Sequence, residues 1–248
     1  KKIGLVFFAT PFDLPSVDFL EKLNMPLYKI ASGDLKSTPL LKYVAKTGKP
    51  VIVSTGGGEM EDVQRAYDVI TAENPNIAIL QCTAAYPCEP EEMNLNVITT
   101  YREKFSDKVI GLSDHQSGIS MATVAFTLGA RIVEKHFTIN RAWRGTDHAF
   151  SLEPVGLTKL VRDLRRAKIA LGDGVKKSIE KEKNPLFKMG KKLVAKNDLF
   201  KGKILTDKDI TLKSPNDGLP PYEWDNVIGL TLQKDLKKDE NISFNDLN

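Results

Sequence analysis

Two neighbouring apolar runs, VIGLSDH at residues 109–115 and RIVEKHFT at residues 131–138, decide the predicted fold. Neither run alternates apolar with polar residues, which is typical of strands that are covered on both faces in a parallel sheet. The six runs of this kind predict an α/β protein with parallel strands. The other four lie at residues 3–10, 27–32, 51–55 and 78–83.

Helix signals fill the segments between the runs. Asp13 and Thr38 are capping residues, and Pro15 and Pro39 follow them in the first helical turns. A strand–helix unit repeated six times fits either an open doubly wound sheet or a (β/α)8 barrel. No G-x-G-x-x-G follows a strand, so the barrel is favoured over a dinucleotide-binding sheet. Further helical spacing occurs at residues 60–74, 118–128 and 157–167.

The character of the sequence changes after residue 172. Residues 1–172 are predicted to form the barrel domain. Residues 173–190 are polar and lysine-rich and predict a linker, and residues 191–248 are turn-dense and predict a small second domain.

The composition of the 248 residues excludes several classes of protein. No apolar run approaches the roughly 20 residues of a membrane-spanning helix, so no membrane partner is expected. Cys82 and Cys88 are too few for a disulfide framework, which favours a reduced, cytoplasmic setting. Residues 161–248 carry 19 basic and 14 acidic residues, which favours an anionic partner. Nucleic acid is not expected, because stacking aromatics do not accompany the lysines.

Every predicted strand ends in polar or ionisable groups, and such ends converge on the active-site face of a barrel. His115 and His136 close consecutive strands at matching positions, which predicts two adjacent imidazoles that suit a divalent metal. Lys29 can supply positive charge for a phosphate, and strand-end hydroxyls can donate hydrogen bonds to oxyanions. The strand-end hydroxyl residues are Thr10, Ser32, Ser54, Thr55, Thr83 and Ser113; the candidate carboxylates are Asp34, Asp114, Glu134 and Asp147.

Seven ordered motifs resemble the sialic acid (N-acetylneuraminate) synthases along essentially the whole chain. The tail is similar to the antifreeze-like (SAF) domain that ends these enzymes. The motifs are ATPF at residues 9–12, YKIASGD at 28–34, STG at 54–56, QCTAAYP at 81–87, GLSDH at 111–115, EKHF at 134–137 and GTDH at 145–148.

The resemblance implies a (β/α)8 (TIM) barrel and a SAF domain. It also implies condensation of phosphoenolpyruvate with an N-acetylated hexosamine, N-acetylmannosamine or its 6-phosphate. His115 and His136 would hold Mn²⁺, with Mg²⁺ or Co²⁺ as alternatives, and Asp34 and Glu134 would join them as catalytic residues. The implied substrate-binding residues are Thr10, Lys29, Ser32, Ser54, Thr83, Tyr86, Ser113 and Asp147.

The same resemblance implies further features. The family's barrel begins with two further βα units, so the chain is expected to open at the third strand. Ala84 stands where many bacterial members have Asn, and Ser214 stands where many have an Arg that reaches a partner's site. A homodimer, with the SAF domain capping the partner's site, is expected.

Three alternatives stay open on the sequence. A legionaminic or pseudaminic acid synthase would belong to the same family. A Schiff-base aldolase would use Lys29 or Lys135. A non-catalytic carbohydrate-binding protein would use the tail domain and leave the histidines without a role.

Overall fold

The computed structural model describes residues 4–248, which divide into two compact units with the boundary between Asp173 and Gly174. No helix in these described residues is long and apolar enough to cross a membrane. The first unit contains five parallel strands in the order β1-β2-β3-β4-β5. Its elements are α1 (Leu14–Lys22), β1 (Tyr28–Ile30), α2 (Thr38–Ala45), β2 (Val51–Ser54), α3 (Met60–Thr71), β3 (Ile77–Cys82), α4 (Val97–Lys104), β4 (Val109–Asp114), α5 (Ser120–Leu128), β5 (Ile132–Lys135) and α6 (Pro154–Ala170).

The strand order distinguishes between the two predicted architectures. Each strand is followed in the sheet by the next one along the chain, whereas a doubly wound sheet reverses its order at a switch point. The sheet is curled, as in a barrel, and the prediction of a barrel-type α/β fold followed by a small second domain is confirmed.

The predicted strand at residues 3–10 is largely wrong in its described part, and residue 3 lies outside the described residues. Only Ala9 pairs with the sheet there, through a parallel bridge to Tyr28. This register places residues 5–8 opposite residues 24–27, which precede β1 and include Asn24 at a φ of 52°. Because β1 starts at Tyr28, residues 5–8 have no strand beside them with which to form backbone hydrogen bonds.

Helix starts follow the predicted capping chemistry with one correction. The Asp13 carboxylate accepts a hydrogen bond from the Ser16 amide at 2.7 Å and caps α1. Thr38 is the first residue of α2 and Ser37 occupies the capping position, so the predicted cap is displaced by one residue. Helix α4 is not predicted from the sequence, because residues 97–104 lack the apolar spacing that marks the other helices.

The strand register assigns side chains to two faces, since successive residues on a strand point to opposite sides. Leu112 and Ile110 pack into the core between the sheet and its helices. Ser113 therefore lies on the other face, which is called the inner face below. It is the register partner of Cys82 on one side and Glu134 on the other. By the same alternation, Lys29 and Ser54 belong to the inner face.

Gly111 allows β4 and β5 to approach each other closely. A Cβ atom at this position would lie 2.4 Å from Leu80 Cδ2 and 2.5 Å from the Ile132 carbonyl oxygen. We therefore expect Gly111→Ala to lower the free energy of unfolding by about 2 kcal/mol, the usual size of an overpacking effect. Urea unfolding measures this, with Gly33→Ala as the control because nothing lies within 4 Å of its Cβ position. Equal stability of the two variants would contradict the close approach.

The second unit contains a two-stranded antiparallel sheet and its own apolar core. Strands β6 (Lys192–Ala195) and β7 (Ile210–Lys213) pair, and α7 (Lys183–Met189) precedes them. Helix α7 lies within the segment that the sequence assigned to a linker. The remaining helix is α8 (Trp224–Val227), and the core includes Leu193, Leu205, Leu232 and Ile242.

Candidate active site

Lys29 and Glu134 meet across the inner face, although they stand on the two outer strands of the five. Lys29 Nζ lies 3.3 Å from Glu134 Oε2. In a flat sheet, four gaps of about 4.8 Å would separate β1 from β5 by roughly 19 Å, beyond the reach of the two side chains. The contact therefore depends on the curl of the sheet, which brings the ends of β1 and β5 to one pocket.

The Lys29 side chain is buried on the inner face, beside this contact. The residue is 7% exposed, and Nζ also donates a hydrogen bond to the Ile30 carbonyl oxygen at 3.0 Å. Ser113 Oγ donates to Glu134 Oε1 at 2.9 Å, so each carboxylate oxygen of Glu134 has a partner. An ammonium group has three N–H donors and Lys29 uses two of them here, so one remains for an anion.

His115 and His136 lie directly beyond this network, at the carboxyl ends of β4 and β5. Their ring centroids are 5.2 Å apart, with planes inclined at 66°. His115 Nδ1 lies 2.8 Å from the Thr83 carbonyl oxygen. A carbonyl oxygen can only accept, so Nδ1 carries the proton, and in the neutral ring Nε2 keeps its lone pair. His136 Nδ1 lies 3.6 Å from Asp147 Oδ2.

The two imidazoles have opposite pKa shifts. Burial, followed by the repulsion of His115, lowers the pKa of His136 below its usual value. Burial acts in the same direction on His115, but its contacts with Cys82 and Thr83 outweigh it and raise the pKa of this ring. His136 is therefore neutral at pH 7 and can offer a nitrogen lone pair.

An aromatic wall borders the imidazole pair. The Tyr86 ring packs on His115 with a centroid distance of 4.2 Å and an angle of 31°. Phe150, which is buried, packs against His136 at 5.0 Å. Burial raises the pKa of Tyr86, so its phenol stays protonated and can donate a hydrogen bond.

The predicted hydroxyl groups near these strand ends differ in their hydrogen bonding. Ser32 Oγ accepts from the Gly56 amide at 3.0 Å and donates to Cys82 Sγ at 3.4 Å. Ser54 Oγ is buried and has no hydrogen-bond partner among the described residues. Thr83 Oγ1 donates to the Glu92 carbonyl oxygen, and Thr10 is half-buried beside the Ala9 bridge. The orphaned Ser54 hydroxyl is thus a donor that a ligand could satisfy.

Asp34 lies after β1, and the second candidate lysine lies on the other face of the sheet. Asp34 lies in the turn Ser32–Asp34 after β1, where burial raises the pKa of its carboxyl group. Lys135 is the register partner of Asp114 and pairs with it at 2.8 Å, both side chains being buried. The alternation along β5 puts Lys135 on the face opposite Glu134, so this lysine is not placed for Schiff-base chemistry in the pocket.

Two residues of the site had no predicted role. Cys82 Sγ lies 4.0 Å from His115 Nδ1 and contacts Ser32, and these groups lower the pKa of the thiol against the opposing effect of burial. Phe150 packs on His136 and faces Tyr86 at 6.2 Å. Strand parity is the signal for Cys82, which ends its strand as the register partner of Ser113, two residues before His115 on the same face. Phe150 follows a loop, and no period predicts its position.

The donor set suits a metal ion that keeps several coordination positions open. No cluster of three or more His, Cys, Asp or Glu side chains in residues 4–248 is arranged to hold an ion. The pair contributes two imidazole nitrogens, with the carboxylates of Asp147 and Glu134 close by. Two nitrogens fit an ion whose remaining ligands are water or substrate oxygens.

Comparison with known proteins gives two family matches. The NeuB family model matches residues 1–176 and the SAF domain model matches residues 192–248. The chain is 38% identical to N-acetylneuraminate-9-phosphate synthase of Homo sapiens, over 98% of this chain and 68% of that protein. It is also 38% identical to N,N'-diacetyllegionaminic acid synthase of Campylobacter jejuni, over 97% and 72% of the two lengths.

A solved structure supports the same relationship. The N-acetylneuraminic acid (sialic acid) synthetase of Leptospira borgpetersenii is 34% identical and superposes with a TM-score of 0.68, covering 75% of this chain and 65% of that one. The match of family, sequence and fold therefore extends over the unit that carries the imidazole pair.

Proposed function

This chain belongs to the NeuB family and carries a SAF domain, and we propose that it condenses phosphoenolpyruvate with an N-acetylated hexosamine. The sugar is N-acetylmannosamine or its 6-phosphate, and the product is a sialic acid-type nonulosonic acid. C3 of phosphoenolpyruvate bonds to the sugar's aldehyde carbon, water adds at C2, and the bond from C2 to the phosphate oxygen breaks. The paired imidazoles beside a buried lysine on one strand-end face carry this proposal.

Lys29 and the strand-end hydroxyls are proposed to bind phosphoenolpyruvate. A buried ammonium group interacts strongly with an anion because little water screens it. Ser54 has an unsatisfied hydroxyl at this face. Ser32, Thr83 and Ser113 follow or end neighbouring strands, Thr10 follows the Ala9 bridge, and these four residues are proposed to complete the binding site. The hydroxyl groups that now donate to protein acceptors would exchange these acceptors for the oxyanion, as Ser113 would exchange Glu134.

His115 and His136 are proposed to hold a divalent ion, Mn²⁺ in the first instance and Mg²⁺ or Co²⁺ as alternatives. When bound, such an ion supplies Lewis-acid polarisation of a carbonyl oxygen. Tyr86 and Asp147, which border the same two rings, are proposed to orient the sugar. Asp34 and Glu134 are proposed to transfer protons and to position the attacking water. Burial raises the pKa of Asp34, which favours the protonated form of its carboxyl group.

The proposal extends to assembly and location. We expect residues 1–172 to form the synthase domain, with residues 173–190 connecting it to the SAF domain. A cytoplasmic setting is also proposed, and the free thiols of Cys82 and Cys88 agree with it.

We propose a homodimer in which the SAF domain covers the partner's site. Light scattering of the purified protein at micromolar concentration should give the mass of a dimer. A fully active monomer would refute the homodimer.

Phosphate release tests the proposed reaction. The protein with Mn²⁺ and phosphoenolpyruvate is offered N-acetylmannosamine, its 6-phosphate or a 2,4-diacetamido sugar. We expect phosphate release that depends on sugar and stops with EDTA. The sugar that supports phosphate release distinguishes a sialic acid synthase from the legionaminic and pseudaminic acid synthases. No release with any of the three sugars contradicts the proposal and favours the carbohydrate-binding alternative.

Borohydride trapping tests the rival lysine chemistry. Treatment with pyruvate and borohydride would add mass to Lys29 if it formed a Schiff base. We expect no adduct, because Lys29 Nζ is held by Glu134 and the Ile30 carbonyl. A stable adduct on Lys29, with turnover that survives EDTA, would replace the metal-dependent proposal with an aldolase.

A further inference from the structure

We infer that the buried Asp114–Lys135 ion pair, on the far face of the sheet, positions the two imidazoles relative to each other. This inference rests on the proposed role of His115 and His136 as metal ligands. Asp114 and Lys135 are register partners and are the residues directly before the two histidines. Lys135 Nζ lies 2.8 Å from Asp114 Oδ2, and the side chains are 5% and 0% exposed.

The backbone of Gln116 forms hydrogen bonds with both residues of this pair. Lys135 Nζ donates a hydrogen bond to the Gln116 carbonyl oxygen, and the Gln116 amide donates to Asp114 Oδ1 at 2.9 Å. The single ammonium group of Lys135 therefore holds the chain on both sides of His115. Because Lys135 also precedes His136 directly, the same group links the backbone positions from which both imidazoles project.

The main chain of the two histidines is held from the other side as well. The His115 carbonyl oxygen accepts from the Cys88 amide at 3.2 Å, and the His136 carbonyl oxygen accepts from the Leu152 amide at 2.8 Å. These bonds fix each segment separately. Among these contacts, the Asp114–Lys135 pair joins one histidine segment to the other, at the last register pair of β4 and β5.

A contribution to folding stability does not explain why an ion pair is buried at this position. A buried ion pair is often no more stabilising than apolar side chains of the same volume, because desolvation offsets the attraction. What the pair adds is a fixed link between the two strands. Asp114 Oδ1 accepts a hydrogen bond from the Gln116 amide, and Lys135 Nζ donates one to the Gln116 carbonyl oxygen. Asp114 Oδ2 has no hydrogen-bond partner among the described residues and is held to Lys135 by charge. Contacts behind metal ligands typically change metal affinity by 10- to 100-fold when they are removed.

The double variant Asp114→Asn/Lys135→Met tests the inference because it leaves no uncompensated buried charge. One readout is Mn²⁺ affinity, measured by titration calorimetry on metal-free protein. The second is the ¹⁵N imidazole spectrum of metal-free protein. We expect affinity to fall at least about 10-fold. The His115 and His136 signals should shift while that of His148, bonded to Thr138 Oγ1, stays in place.

The exposed pair Lys213–Asp239 provides the matched control. Its atoms lie 3.2 Å apart on the second unit, and Lys213→Met/Asp239→Asn should change neither readout. Lys135→Arg is the second variant if the double variant does not fold; it keeps the charge and should move both readouts in the same direction. Affinity within twofold and unshifted His115 and His136 signals in a folded variant overturn the inference. If the parent protein binds no Mn²⁺, the metal role fails, while the imidazole spectrum still decides the positioning role.

Discussion

His136→Ala is expected to lower the rate of phosphate release from phosphoenolpyruvate and the accepting amino sugar by at least about 10³-fold. The reason is that one of two imidazoles at the site is lost, and no third His, Cys, Asp or Glu side chain among the described residues completes a metal cluster with the other. A 10³-fold loss corresponds to about 4 kcal/mol of transition-state stabilisation. The decrease should appear in kcat at saturating Mn²⁺ and substrates.

Metal affinity supplies the control for this variant. His148→Ala removes the remaining histidine of the chain, whose ring bonds to Thr138 rather than to the pair. It should keep Mn²⁺ affinity within about threefold, whereas His115→Ala and His136→Ala should each lose most of the binding. Turnover of a folded His136→Ala protein within tenfold of the parent would contradict the assigned role.

Lys29→Met is expected to lower kcat/KM for phosphoenolpyruvate by about 10²- to 10³-fold. The substitution keeps the volume of the side chain but removes the buried cation of the inner face. It also leaves Glu134 without its ionic partner, although water still reaches this carboxylate because its side chain is 42% exposed. Initial rates at varied phosphoenolpyruvate measure the effect, which should fall mainly on KM for this substrate.

Lys36→Met is the matched control for Lys29→Met. Lys36 is 59% exposed and pairs with Asp62 of α3. Asp62 keeps Arg65 and the Glu59 amide as partners when Lys36 is replaced, so kinetics and stability should stay near those of the parent. Equal kinetics for the two lysine variants would show that Lys29 does not bind the anion.

The strand positions were predictable because the sheet is covered by helices, and its strands therefore read as continuous apolar runs. Runs such as residues 109–115 end where β4 ends, within one residue. The run at residues 3–10 failed because pairing needs a partner as well as propensity, and β1 begins too late to provide one. Apolar composition alone carries no information on the length of the neighbouring strand.

The proximity of His115 and His136 follows from strand parity, because both come one residue after register partners. The Lys29–Glu134 contact could not be derived in that way. It joins the two outer strands of the sheet, and its existence depends on curvature, which no local pattern in the sequence encodes. The same alternation places Lys135 on the face opposite Glu134, away from the imidazole pair.

The central claim is that His115 and His136 together bind one divalent ion at the carboxyl ends of β4 and β5. An anomalous difference map from crystals grown with Mn²⁺ tests it most directly. A single strong peak should lie within bonding distance of a ring nitrogen of each histidine. A Mn²⁺ peak bonded elsewhere, with both imidazoles free of it, would show that the two histidines do not form the metal site.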